Sequence, residues 1–283
     1  MKTALLCVSL LLALGCNERP PESPGDEWDG PKGTWVETFR DDFDGPSGSA
    51  PDPTHWNVQD RQYGQNQEQD YNTQERTNSF LDGEGRLVIQ ALKENYEYMP
   101  GRFSDQPYTS ARLNSEGLLH QQYGRFEASI RLPAGKGLWP AFWLLGENIE
   151  DVGWPRCGEV DILEMAGSQP QIIDGSMHGP GYSGTMSLTR DYELETGMFI
   201  DSFHTFALEW TAEGMRWLVD GNVYHVRTRA GLAELGLDWV FDQPFYMILN
   251  LAVGGLYDGS PDETTPFPSQ LVFDYISVSR LEP

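Results

Sequence analysis

Arg125-Phe126-Glu127-Ala128-Ser129-Ile130-Arg131-Leu132 places an apolar side chain at every second position and a charged or hydroxyl-bearing one between. Side chains of an extended chain point alternately to its two faces, so a period of two makes a strand with one face in a core and one toward water. Comparable runs are Leu87 to Leu92, Phe203 to Trp210, Met215 to Val219, Phe245 to Leu251 and Leu271 to Val278, separated by turn signals such as Asp82-Gly83, Asp220-Gly221 and Gly254-Gly255. Only Leu232 to Trp239 has helical spacing, and Gly231 and Gly236 weaken it. The expectation is an all-β sandwich of two antiparallel sheets whose polar faces leave room for a groove.

With 283 residues, 39% hydrophobic and 12% aromatic, the chain has apolar material for a sizeable core. Its 43 Asp plus Glu against 19 Lys plus Arg leave a net charge of −24, which repels phosphate backbones and anionic headgroups. Nucleic acid is therefore excluded as a partner class, and a neutral or cationic ligand is expected. Cys7 and Cys16 lie in the N-terminal apolar segment and only Cys157 in the body, so the mature domain holds no intramolecular disulfide. Cys157 reads as a small buried residue. Five His and no paired-Cys spacing argue against a zinc site.

Lys2 followed by the apolar run Ala4 to Leu14 is too short to span a bilayer and fits the core of a signal peptide over residues 1–15. The ending Leu12-Ala13-Leu14-Gly15-Cys16 resembles a bacterial lipoprotein cleavage site, with Ala13 where Leu is usual. That resemblance implies a lipid on Cys16 and a location on the bacterial cell envelope, with Asn17 favouring the outer membrane. Residues 16–33 are polar and rich in Pro and Gly and read as a tether. From residue 34 to 283 no break or repeat appears, so one domain is expected, contacting membrane only through the anchor and acting as a monomer.

In Gly158-Glu159-Val160-Asp161-Ile162-Leu163-Glu164-Met165 three acids interrupt a β-prone apolar run. Alternation puts Glu159 and Asp161 on one face and would send Glu164 to the other, into the core, where an unpaired carboxylate is costly. A β-bulge at Ile162-Leu163 adds one residue and returns Glu164 to its partners. Carboxylates so close repel, leaving an anion and an acid side by side, as a retaining glycosidase needs. Cation binding and a solvated strand face are the competing readings. In Trp139-Pro140-Ala141-Phe142-Trp143 the two Trp share a face. Alone they would read as core, but beside three carboxylates they read as a platform for pyranose rings.

The acid motif resembles the signature of glycoside hydrolase family 16, and the surrounding words resemble its bacterial laminarinases. These are Tyr108-Thr109-Ser110-Ala111-Arg112, Tyr123-Gly124-Arg125, Leu138 to Trp143, His178-Gly179-Pro180-Gly181-Tyr182-Ser183-Gly184, Leu249 to Gly255 and Asp274-Tyr275. The resemblance implies a β-jelly roll with a concave substrate cleft and a retaining endo-β-1,3-glucanase needing no catalytic cofactor. It implies Glu159 as nucleophile, Glu164 as general acid and base and Asp161 as the residue that tunes the nucleophile. Asn66, Arg112, Trp139, Trp143, His178 and Asn250 would contact glucan, and Asp274 with a backbone carbonyl near Gly85 would hold structural calcium. The bulged spacing marks the laminarinase group within the family. Asp70, in Asn66-Gln67-Glu68-Gln69-Asp70-Tyr71, departs from the amide usual there, and the region Asp174 to Thr196 is expected to form loops beside the cleft. The alternatives are a non-hydrolytic glucan-binding lectin, which the presence of both glutamates disfavours, and a family member acting on mixed-linkage glucan or by transglycosylation.

Overall fold

The computed structural model describes residues 24–283, so the apolar leader, Cys16 and the first part of the tether lie outside the described residues. Two sheets pack face to face as an open sandwich of the jelly-roll type. One orders Asn222–Thr228, Gly214–Val219, His204–Trp210, Gly124–Arg131, Ser269–Glu282, Leu87–Lys93, Tyr108–Ser110 and Asp70–Asn72. The other, which carries the acids, orders Leu188–Glu193, Ile172–His178, Glu159–Glu164, Leu138–Gly146, Phe245–Val253, Arg112–Asn114 and Asn57–Val58. Strand pairing is antiparallel, with one parallel pair where Asp70–Asn72 meets Tyr108–Ser110. Among the described residues no helix is long and apolar enough to cross a membrane.

The alternation at residues 125–132 does what its period requires. Phe126, Ala128, Ile130 and Leu132 are buried in the core between the sheets, facing Phe142, Leu144, Val160, Met247 and Leu249 from the acid-bearing sheet. Burial of each large side chain contributes roughly 1.5–3 kcal/mol.

Helical spacing is realised earlier than expected, over Arg229–Glu234, because Thr228 caps it by accepting the Gly231 N–H at 2.9 Å. Gly236, at φ 71°, then reverses the chain. The region from Asp174 to Thr196 is more regular than the loops expected of it: Ile172–His178 and Leu188–Glu193 pair as strands and only their connection is irregular.

The last part of the stretch read as tether is fastened to the domain by polar ties. Asp26 accepts from Arg227 at 2.9 Å and from the Thr228 N–H at 2.8 Å, and the Asp29 carbonyl accepts from Arg216 at 3.2 Å. A Cβ at Gly231 would lie 2.2 Å from the Asp26 carboxylate, so only glycine lets this clasp close. Apolar patterning gives no sign of such a contact, since none of its bonds is hydrophobic.

Candidate active site

Register shows how the acids reach one face. Against Leu138–Gly146, Trp143 faces Asp161 and Phe142 faces Leu163, which leaves Ile162 as the extra residue. Against Ile172–His178, Asp161 faces Ser176 and Glu164 faces Asp174, three steps matched by two. This is the bulge expected at Ile162-Leu163. Both bulge residues and Val160 are buried in the core, while Glu159, Asp161 and Glu164 line the groove.

The three carboxyl groups live in different surroundings. Asp161, 3% exposed, accepts from Ser176 Oγ at 2.5 Å and lies 3.0 Å from His178 Nε2. Glu159 accepts from Trp154 Nε1 at 3.1 Å and has His178 Nε2 at 3.6 Å. Burial and then the charge of Asp161 push its pKa up to about 7, while His178, Arg112 and the Trp154 hydrogen bond pull the other way. Glu164 has one donor, Trp139 Nε1 at 2.8 Å. Burial, followed by the charges of Asp161, Asp174 and Glu159, raises its pKa well above the ordinary carboxyl value. Of the two glutamates, Glu164 is thus held further toward its protonated form, while His178, Arg112 and Trp154 offset part of the cost of charge on Glu159.

His178 joins the pair. Burial opposes its charged form, but the hydrogen bond to Asp161 and the charges of Asp161, Glu159 and Asp174 outweigh burial and lift its pKa to about 9. The Gly184 N–H points at its Nδ1 at 3.1 Å, a bond that the neutral ring accepts with its own proton on Nε2, facing the carboxylates.

The expected glucan contacts gather along the same face. Trp143 Nε1 donates to Asn250 Oδ1 at 2.7 Å. The Arg112 guanidinium lies 4.1 Å from the Tyr63 ring centroid and 4.6 Å from that of Trp143, so one face of this indole is already occupied. Trp139 stacks on Tyr257, with centroids 4.9 Å apart. Asn66 is exposed on a loop, held by Glu68 through its N–H and side-chain amide at 3.0 and 3.2 Å. Gly255 brings that loop to the indole, since a Cβ there would lie 3.1 Å from the Asn66 carbonyl and 3.6 Å from Trp139. Tyr63, Glu68, Asp70, Arg112 and Asn250 line a recess at this end. Cys157 is fully buried beside Leu145, Tyr246 and Ile248, and burial pushes its thiol up to about 11, as suits an inert residue.

Sequence reading missed Trp154, Ser176, Tyr63 and Tyr257, and took Asp174 for a loop residue. A signal existed for two of them. Counting back by twos from His178 gives Ser176 and Asp174, on the face of the acids. Trp154, Tyr63 and Tyr257 come from loops, where periodicity is silent.

The two positions implied for calcium lie near each other on another part of the molecule. Arg86, next to Gly85, has Nε 3.8 Å from Asp274 Oδ1, and that nitrogen is buried without a hydrogen bond. A Cβ at Gly85 would lie 3.4 Å from the Asp42 carbonyl and 3.7 Å from an Asp44 carboxylate oxygen. The oxygens beside Gly85 are of the donor chemistry a hard cation takes, while the Asp274 carboxylate has a guanidinium as its neighbour.

A sandwich carrying paired glutamates and indoles on one groove face defines an enzyme that cleaves glycosidic bonds. The chain belongs to glycosyl hydrolases family 16, whose family model matches residues 57–277. It is similar to the beta-glucanase of Rhodothermus marinus, with 38% identity over 253 residues, 87% of this chain and 85% of that protein. Among solved structures it resembles the laminarinase catalytic domain of Thermotoga maritima MSB8, at 44% identity and a TM-score of 0.81 over 88% of this chain and 99% of that one. The endo-beta-1,3-glucanase of Pyrococcus furiosus is similar at 40% identity and a TM-score of 0.83, with 93% and 99% covered.

Proposed function

We propose that the chain is an endo-acting β-1,3-glucanase that works with retention of configuration. The observation that carries the mechanism is the bulged strand, which sets Glu159 and Glu164 on one groove face in unequal electrostatic surroundings, the stronger push toward the proton falling on Glu164. The Glu159 carboxylate attacks the anomeric carbon while Glu164 gives its proton to the departing glycosidic oxygen, leaving a covalent glycosyl ester. Glu164, now an anion, takes a proton from water, and that water attacks the same carbon and releases Glu159. Asp161, fixed by Ser176 and His178, tunes Glu159 across the strand face. Arg112, Asn250, Asn66 and the two indoles bind the sugar chain. The choice of β-1,3-glucan rests on the similarity to laminarinases and endo-β-1,3-glucanases.

Laminarin, mixed-linkage β-glucan, agarose, carrageenan and cellulose would each be digested, with early laminarin products followed by NMR. Short oligosaccharides with the β anomer first are expected. Glu159→Gln and Glu164→Gln should each lower turnover by roughly 10²-fold or more, and Asp161→Asn by less. Cleavage of a galactan alone would overturn the substrate class, and an initial α anomer would overturn the assigned roles.

Calcium at Asp274 and the oxygens beside Gly85 would act on stability and not on chemistry. A ligand bound only by the folded state raises the melting temperature by mass action. Melting in calcium should exceed melting in chelator, and Asp274→Ala should remove the difference. Equal melting temperatures would leave Asp274 as the partner of Arg86 alone.

A further inference from the structure

Glu164 sits in a closed circuit of side chains drawn from four parts of the fold. Trp139 Nε1 donates to it at 2.8 Å. The Trp139 ring stacks on Tyr257 at 4.9 Å and 19°. The Tyr257 hydroxyl donates to Asp174 Oδ2 at 2.7 Å. Asp174 faces Glu164 directly across the strand pair, a position whose Cβ atoms stand about 4.5–5.5 Å apart in antiparallel sheets. Tyr257 follows the strand Phe245–Val253 yet reaches Ile172–His178, so it straps across the two strands between them.

We propose that Asp174 and Tyr257 are a positioning pair for Glu164, in which Asp174 holds the proton on the acid by like-charge repulsion and Tyr257 fixes Asp174 in place. This rests on the reading of Glu164 as proton donor. A neighbouring anion disfavours ionisation of the free enzyme's acid, and once the proton has gone to the leaving group it makes Glu164 a stronger base toward water. The other groups acting on Glu164 are Glu159 and Asp161 from its own strand and Tyr257 from its loop, and His178 stands beside those two acids at the far end of the next strand. Beyond these, Arg190 and Asp191 stand opposite Gly175 and Asp174, and Tyr224 packs under Gly175 from the sheet that lacks the acids. Asp174 acts on Glu164 from the neighbouring strand, where Glu159 and Asp161 act from its own.

The test is the pH dependence of kcat/KM on laminarin for the wild type, Asp174→Asn, Tyr257→Phe and the double variant, with Glu164→Gln alongside. Asp174→Asn should move the basic limb to lower pH by about one pH unit, leave the acidic limb in place, and stay within about threefold of wild type below the limb. Tyr257→Phe should move the limb the same way by less, and the double variant should match Asp174→Asn, because the two act as one unit. On a dinitrophenyl laminaribioside, whose leaving group needs no proton, Asp174→Asn should keep the wild-type kcat/KM, which reports the first displacement and not the later attack by water. An unmoved basic limb in both single variants, or equal loss at every pH on both substrates, would overturn the pair. Glu164→Gln separates the two readings. If it fails on laminarin while the limb of Asp174→Asn stays put, only the pair falls. If it cuts laminarin like wild type, the proton-donor role falls, and the pair with it.

Discussion

Asp70 is a carboxyl group almost without solvent, 1% exposed, at the recess beside Arg112. One oxygen accepts the Val253 N–H at 2.8 Å and the other the Asn72 amide at 3.1 Å. Burial, against which the Val253 hydrogen bond only partly works, pushes its pKa up from 3.8 to about 7. Because the folded state holds this proton more tightly than the unfolded chain, its contribution to stability is complete below about pH 4 and lost as pH rises through 7. At about 1.4 kcal/mol per pKa unit the loss is on the order of 4 kcal/mol. Asp70→Asn keeps an acceptor for Val253, and Asn72 satisfies the new amide by turning its own. The variant should therefore lose less stability than the wild type between pH 5 and pH 8 in urea unfolding. Parallel losses in the two proteins would show that Asp70 is not the group that titrates.

At the scale of the element, the bulge makes a prediction about chain length. Removing Ile162 leaves Glu-Val-Asp-Leu-Glu, whose plain alternation still puts all three acids on the groove face. That deletion should fold and keep measurable glucanase activity, with a stability loss of roughly 2–5 kcal/mol from the missing core side chain. Removing Ile162 and Leu163 together turns the last glutamate inward, and activity should vanish with cooperative unfolding. Denaturant melts and laminarin assays of the two deletions check this, and equal behaviour would contradict it. The same reasoning explains why the bulge was legible in sequence: a buried carboxylate is so costly that Glu164 at an odd offset demands an extra residue. Trp154 and Tyr257 were not legible, because each reaches its carboxylate, Glu159 and Asp174 respectively, from a loop and a loop has no period.

For the molecule as a whole, alternation of apolar residues told where the core lies, since Phe126, Ile130, Val160 and Leu249 all meet there. It could not tell where the domain begins. Arg227 is 3% exposed, and its partner Asp26 comes from a stretch whose composition suits a tether. Breaking a buried ion pair from one side strands the other charge, at a cost of about 3–5 kcal/mol. Asp26→Ala should thus destabilise the protein by about that amount in urea melts without changing laminarin turnover at 25 °C. Unaltered stability would reduce the clasp to an incidental contact.

The same clasp decides where a mechanical load would enter. Tension on the chain ahead of Pro24 meets Gly25 and then Asp26, and their ties to Glu234, Thr228 and Arg227 hand the force to the helix Arg229–Glu234 and to Asn222–Thr228, the outermost strand of the sheet that lacks the acids. Glu159–Glu164 lies two strands in from the edge of the opposite sheet, so the pull is borne by a margin of the sandwich and the spacing of the carboxyl groups is left undisturbed. An enzyme tugged by a long polymer on one side and a fixed support on the other would strain its seam before its chemistry.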